Sequence, residues 1–511
     1  MTRHSERWIL LGILLGAAML RAWNMSAGVP FAVGIDEPVV VDRALRILQT
    51  GSWNPHGFDY PSLVIYVQAW VTTACFLVGA LLGRWTSLPE LDIDAVYLTG
   101  RSVAALIGTG TVWLTYLIGK ELRSRALGLV AAAQLAVLPM HVRESHFILT
   151  DVPTTALVVL ALFLALRAAR QRTVWSYAWM GCAVGLSAAA KYNGGFVAVV
   201  GAIVWLFFEW SAPDRGRKAL AASAAAAAAF LVAVPFAVLD LPTFLNGVGA
   251  QAARFSGPLA SDPPWHSYLL YLSLDWRFWV PLAGLGFVMV LWRRQSLREW
   301  AIPVGFIITY FYVLSSHSVV FGRYTLPILP VICLLTAVPV IELAHAVQWR
   351  YPAFAPTFVV LCTIVLTAAF AAESIRWLGE FRRPDTRLLA ARWMMASLPK
   401  GTKLVVENSG PTNLAYAGFD VVERPNRFDE GSVDAYLRDG IEYVVIAPWS
   451  ERALPAYRHF LQTSQVMLEV EPAVDRWGPF VRVVRIGHGD RAARSEDGDP
   501  RSGRVEHRAN H

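Results

Sequence analysis

The chain has 511 residues, 55% of them hydrophobic and only 16% charged, against about 25% charged in an average soluble domain. That balance excludes an ordinary soluble enzyme and indicates a polytopic membrane protein. The formal net charge of +7 does not imply a nucleic-acid partner, because much of it sits in short loops between apolar stretches, where it reports orientation.

The first apolar stretch, at about 7 to 23, keeps Arg21 and Trp23 and lacks a small-residue cleavage pattern, so it reads as an anchor rather than a cleavable signal. Just beyond it stand Asp36 and Glu37, in Gly34-Ile35-Asp36-Glu37-Pro38. An ionised carboxylate near hydrocarbon costs roughly 2.5–3.5 kcal/mol at a helix centre and less at the interface, so its place needs a reason. Residues 39 to 48 suit a helix on the membrane surface, and two acids before its first turn are explained equally by the helix dipole or by chemistry.

Apolar stretches of spanning length follow at about 97 to 118, 126 to 140, 153 to 167, 176 to 190, 195 to 210, 218 to 238, 277 to 292, 300 to 315, 324 to 345 and 354 to 372. A further stretch, 61 to 83, is apolar enough to span. Counting it would scatter the basic segments 3–7, 120–125, 167–172, 215–218 and 293–298 over both sides. The positive-inside rule gathers all five on the cytoplasmic side if 61 to 83 lies along the outer interface or dips in and returns. About eleven spans result, with the N-terminus inside and the C-terminus outside. Residues 239 to 276, rich in Pro, Gly, Ser and Asn, read as a flexible outer loop.

The outer connections collect the polar residues. His141, Arg143, Glu144, His146 and Asp151 crowd the segment 140–153. Asp151 before Pro153 suits a helix start as well as a catalytic role. The two histidines lack the spacing of a zinc site, whereas an Asp/Glu site for a divalent cation, drawn from Asp36 and Asp151, stays open. Lys191 opens Lys191-Tyr192-Asn193-Gly194, Arg101 stands at the outer start of a span, and Arg323 stands where the chain re-enters the membrane. Each of these cations either snorkels to a lipid headgroup or is aimed at a phosphate.

After about residue 373 the pattern changes to short β-rich runs, 403–407, 443–447, 466–470 and 480–486, with a helical pattern at 388–398. A soluble α/β unit over 374–487 is expected outside the membrane, followed by a charged, disordered tail at 488–511. Cys75, Cys182, Cys333 and Cys362 all lie in apolar runs, so the polar parts hold no disulfide or thiolate metal site.

Several of these features together resemble GT-C glycosyltransferases, most closely glycosyltransferase family 39 with its protein O-mannosyltransferases and bacterial aminoarabinose transferases. They are Asp36-Glu37, the segment Tyr60-Pro61-Ser62-Leu63, Asp151-Val152-Pro153, the Lys191 turn and Arg323-Tyr324-Thr325-Leu326-Pro327. The resemblance covers about residues 7 to 345. It implies an all-α membrane domain of GT-C fold over 1–373 that moves a sugar, with inversion, from a polyprenyl phosphate to a hydroxyl on a glycan, lipid or protein acceptor at the outer face of the cytoplasmic membrane. It further implies Asp36 as catalytic base, with Glu37 and Asp151 beside it in the catalytic set. Developing charge on the leaving phosphate calls for cations, and Arg323, Lys191 and Arg143 are the candidates; His146, Arg101 and Tyr60 complete the expected site. The chain has Tyr60-Pro61-Ser62 where protein-modifying relatives often carry Pro-Pro or His-Pro-Pro, and it lacks the β-trefoil insert of eukaryotic protein mannosyltransferases. The alternative class is a transporter or flippase of a lipid-linked saccharide, which would place ionisable groups at the midplane and often carry repeats. The sequence shows neither.

Overall fold

The computed structural model describes residues 3–34, 36–257, 263–273, 277–294 and 296–486; the expected charged tail lies outside them. Its contacts divide the chain into two units, Met1–Ser26 with Val39–Gly379, and Ala27–Pro38 with Glu380–His511. The division at Gly379 falls later than the expected 373, and the segment bearing Asp36 goes with the second unit.

The first unit opens with α1 (Arg3–Ala22), α2 (Glu37–Thr50, whose first residues belong to the other unit), α3 (Leu63–Leu81) and α4 (Ile93–Leu122). Next come α5 (Arg125–Val137), α6 (Pro139–Glu144), α7 (Asp151–Gln171) and α8 (Val174–Ala190). A 3₁₀ turn at Tyr192–Ala198 leads into α9 (Val199–Val204), followed by α10 (Arg215–Ala233), α11 (Phe236–Leu239), α12 (Leu241–Phe255), α13 (Pro264–Ser273), α14 (Trp279–Arg293) and α15 (Leu297–Ser315). A second 3₁₀ turn, Gly322–Ile328, enters α16 (Leu329–Arg350), and α17 (Ala355–Glu380) closes the series. Among the described residues, 8 helices are long and apolar enough to cross a membrane.

α16 is apolar on every face and buried along most of its length, as a central helix must be. It packs with α4, α5 and α14. Gln134 joins two of these helices, accepting from Thr336 Oγ1 at 2.7 Å and donating to the Cys333 carbonyl at 3.3 Å. α8 meets α10 through small residues. A Cβ at Gly181 or Gly185 would stand 2.0 or 2.1 Å from the carbonyl oxygens of Ala222 and Ala226, which gives the alanine-rich run its role as a close-packing face.

The five basic segments share one end of this bundle, tied by four glutamates. Glu6 holds Arg125 at 3.0 Å, Glu121 pairs with Arg170, Glu209 takes Arg172 at 2.9 Å and Lys218 at 2.8 Å, and Glu342 takes Arg123 and, at 2.6 Å, Arg293. One of the two alternatives for 61–83 falls: Leu63–Leu81 is one uninterrupted helix, so it does not dip and return, and by length and composition it is among the 8 described helices apolar enough to span. Its contacts to α4 fall on that helix's first turns, where Thr99 Oγ1 lies 3.4 Å from Cys75 Sγ. The described part of 239–276 is largely helical rather than a flexible loop, because its apolar residues find partners: Phe244 packs edge-on against Phe58 at 5.4 Å.

The second unit is built on a five-stranded sheet of order β2-β1-β3-β5-β4. Its strands are β1 (Lys403–Val406), β2 (Asp420–Glu423), β3 (Tyr443–Ile446), β4 (Gln465–Val470) and β5 (Val481–Arg485). β1 is parallel to β2 and β3, whereas β5 runs antiparallel to β3 and β4. Side chains alternate between two cores with the strand period of two. Leu404, Val406 and Val445 join α18 (Thr386–Ser397) on one face, and Val405, Val444 and Ile446 join α19 (Val433–Arg438) and α20 (Arg458–Thr463) on the other. β2 was not expected, since an edge strand with no buried residue shows no apolar pattern.

Candidate active site

Asp151 is the first residue of α7, where the unpaired backbone N–H groups and the helix dipole favour negative charge. Its carboxylate is nevertheless directed at cations from two other connections. Oδ1 accepts from Lys191 Nζ at 2.7 Å, and Oδ2 lies 3.9 Å from Arg323 Nε. The Asp151 and Lys191 side chains are buried to nine-tenths or nearly so, and Arg323 to about three-quarters.

Local structure explains why these three meet. α8 ends at Ala190, and Lys191 turns extended (φ −157°, ψ 136°), which carries its side chain off the helix. The chain then tightens into its 3₁₀ turn, with Gly194 N donating to the Lys191 carbonyl at 2.8 Å. A Cβ at Gly194 would stand 2.5 Å from the Ser187 carbonyl and 2.7 Å from Thr154, so only glycine lets this turn settle on the first turns of α7. Arg323 enters on the other 3₁₀ turn, which also packs on α7. Tyr324 places its ring 4.5 Å from Lys191 Nζ, and the Arg323 guanidinium lies 4.9 Å from the Phe321 ring. Asn193 Nδ2 donates to the Tyr310 hydroxyl at 2.9 Å. Tyr324, Asn193 and Tyr310 were not singled out from the sequence. The first two flank predicted cations and were within reach; Tyr310 sits in a span, where a tyrosine reads as one more apolar residue.

The other expected residues make contacts of their own. Arg143 is engaged by its neighbour, its Nε and Nη2 lying 2.9 and 2.7 Å from Glu144 Oε1. Arg101 is buried, donating to the Met25 carbonyl at 2.7 Å with its guanidinium 5.6 Å from the Phe147 ring. His146 is buried with its ring nitrogens 2.8 and 3.1 Å from the carbonyls of Val142 and Trp23, and burial pushes its pKa down to about 4. His141 is likewise held neutral, well below the ordinary histidine range, by burial and by Arg21. Arg21 Nη2 lies 2.9 Å from His141 Nδ1, which fixes that nitrogen as an acceptor. Tyr60 lies on the half-buried loop before α3.

Asp36 and Glu37 belong to the second unit's segment. Glu37 is buried, and its carboxylate closes a turn: Gly34 N donates to Oε2 at 2.7 Å while Glu37 N donates to the Gly34 carbonyl at 3.0 Å. Asp36 is carried on this turn, half-buried.

For a divalent cation the fit is poor. A hard ion of this kind takes six or more oxygen ligands, whereas Asp151 is one carboxylate already engaged by a lysine and an arginine. Among the described residues no group of three His, Cys, Asp or Glu is placed to hold a metal ion.

Residues 64–246 match the family described as dolichyl-phosphate-mannose-protein mannosyltransferase, a stretch that includes Asp151 and Lys191 but neither Asp36 nor Arg323. No curated protein shows significant sequence similarity to the chain. Among solved structures, ArnT from Cupriavidus metallidurans bound to undecaprenyl phosphate is 16% identical, with a TM-score of 0.58 over 93% of this chain and 98% of that one. The apo oligosaccharyltransferase of Archaeoglobus fulgidus is 14% identical, with a TM-score of 0.59 over 87% of this chain and 70% of that one. AglB from the same organism, in complex with an inhibitory peptide and a dolichol-phosphate, gives 14% identity and a TM-score of 0.54 over the same shares of the two chains. The fold is the GT-C fold of membrane glycosyltransferases, and the family match falls on the same class of enzyme. The resemblance drawn from the sequence motifs stands.

Proposed function

We propose that this GT-C chain is an inverting glycosyltransferase that moves a sugar from a polyprenyl phosphate to an acceptor hydroxyl at the outer face of the cytoplasmic membrane. The observation that carries the reading is the convergence of Lys191 and Arg323, from two separate connections, on the carboxylate of Asp151. Two guanidinium or ammonium donors fixed by one acid form a ready cradle for the phosphate of the donor. ArnT bound to undecaprenyl phosphate and AglB bound to a dolichol-phosphate support a polyprenyl carrier. The gathering of the five basic segments at the opposite end of the bundle supports the proposed sidedness.

Asp36 is assigned the base on its motif. Its carboxylate takes the acceptor proton as the acceptor oxygen bonds to the anomeric carbon. The carbon–oxygen bond to phosphate breaks on the opposite face, and the electron pair leaves with the polyprenyl phosphate. Lys191 and Arg323 stabilise that departing charge, and Asp151 holds both cations in place. Glu37 shapes the Asp36 turn rather than moving a proton.

The test is sugar transfer in membranes carrying wild type or Asp36→Asn, supplied with a panel of polyprenyl-phosphate sugars and followed by mass spectrometry of lipid, polymer and protein acceptors. Transfer that disappears in an equally abundant mutant names donor and acceptor together. Equal turnover removes Asp36 as base, and movement of intact lipid-linked sugar without transfer favours a flippase.

A further inference from the structure

Parallel sheets bind ligands beyond the carboxyl ends of strands at the point where the connections part to opposite sides. In the second unit that point lies between β1 and β3, since the chain leaves β1 for the edge strand β2 and returns to β3 on the other side. The residues beyond those two strand ends hold a stretch of this same chain, the segment Ala27–Pro38.

The grip is specific. After β1, Thr412 donates from its N to the Phe31 carbonyl at 2.8 Å and from Oγ1 to the Pro30 carbonyl at 3.1 Å, and Asn413 Nδ2 donates to the Pro30 carbonyl at 2.7 Å. The Phe31 ring is buried in the same core as Leu414 and Ala447. From α18, Arg387 Nη2 and Nη1 donate to the carbonyls of Ala32 and Val33, each at 3.1 Å. The guanidinium is itself fixed, with Nε 3.0 Å and Nη2 2.8 Å from the two oxygens of Asp385, and it lies 5.5 Å from the Trp449 ring. Arg387 is only 4% exposed and Asp385 2%. A buried arginine that spends donors on two consecutive backbone carbonyls sets the path of that backbone. Three residues beyond Val33 comes Asp36, on the turn closed by Gly34 and Glu37.

We propose that the second unit is the holder of the Asp36 loop, with Arg387 as the positioning residue that fixes the base through the Ala32 and Val33 carbonyls. This inference rests on the reading of Asp36 as base. A displacement of about 1 Å at a reacting group can cost about 10²-fold in rate, so release of the segment should lower kcat and leave binding of the donor phosphate unchanged.

The test uses the full chain in nanodiscs, with Arg387→Gln, Arg387→Lys and Asn413→Gly. The last removes the amide from Pro30 and suits the left-handed backbone there (φ 57°). Three quantities are read: hydrogen exchange over 27–38, kcat, and affinity for undecaprenyl phosphate. Arg387→Gln should raise exchange in 27–38 while β1 and β3 keep their protection, and should lower kcat about 10²-fold at unchanged phosphate affinity. Arg387→Lys should recover part of the rate, because an ammonium donates but has no planar fork, and Asn413→Gly should move both readouts less in the same direction. Unaltered exchange in both Arg387→Gln and Asn413→Gly, or faster exchange with full kcat, would overturn the proposal. If Arg387→Gln loses the protection of the strands, Asn413→Gly decides. Should wild type prove inactive with every donor while exchange still rises in the variants, the holder stands and the enzymatic reading falls.

Discussion

The two ends of the first unit treat charge differently. At the basic end the cations are mostly half-exposed, as with Arg170, Arg172 and Arg293 at 47%, 52% and 55%. Lys218, deeply buried there, has two carboxylates, Glu209 at 2.8 Å and Asp214 at 2.9 Å. At the other end the Asp151 carboxylate lies between Lys191 and Arg323, which are 13% and 24% exposed. Desolvating a cation is costly unless an anion compensates. Under the proposed reading the Lys191 and Arg323 end receives an incoming anion, whereas the basic end latches helix termini together.

The largest expected effect falls on Asp36. Asp36→Asn should lower transfer by roughly 10²–10⁴-fold while the protein folds and binds donor phosphate normally, read by initial rates at matched protein levels. At the basic end, Glu209→Gln removes a fully buried partner of Lys218. It should cost up to about 3–5 kcal/mol of stability, seen as a lower thermal midpoint in detergent, with the remaining folded protein binding donor normally. At the site end, Lys191→Met should weaken polyprenyl-phosphate affinity roughly 10–100-fold, the loss of one hydrogen bond to a charged group, and should lower the thermal midpoint as well, because the buried Asp151 loses its partner at 2.7 Å.

A smaller effect follows from the buried histidine. Below about pH 6.5 an unfolded chain takes up a proton that His146 in the folded protein refuses until about pH 4. Stability should therefore fall as pH drops through that window, and His146→Gln should flatten that part of a thermal pH profile. The smallest effect is expected for Arg172→Gln, since a half-exposed pair contributes about 0–1 kcal/mol; a larger loss would break the distinction between latch and site.

Much of this was legible in the sequence because membranes impose a simple grammar. Apolar length gave the helices, and the sidedness of Arg and Lys gathered 3–7, 120–125, 167–172, 215–218 and 293–298 at one end, where the structure ties them together. Asp151, Lys191 and Arg323 could be named because each is polar at a point where a span begins. That they touch could not be read, since it depends on Gly194 admitting one turn against α7 and on the 3₁₀ entry at Gly322. Arg143 shows the converse: it had the right charge and loop, but the adjacent Glu144 claims it. The docking of 27–38 with the second unit was invisible as well, because backbone carbonyls that receive Arg387 leave no mark on residue identity, and an Arg387 two residues from Asp385 looks like an ordinary helix start.

Undecaprenyl-phosphate binding to the purified protein in nanodiscs, for wild type, Lys191→Met and the basic-end control Arg170→Gln, decides whether the Lys191–Asp151–Arg323 end receives the donor phosphate. Wild type and Arg170→Gln should bind, with affinity lost in Lys191→Met. Equal affinity in all three, or loss only in Arg170→Gln, would mean that the phosphate binds elsewhere.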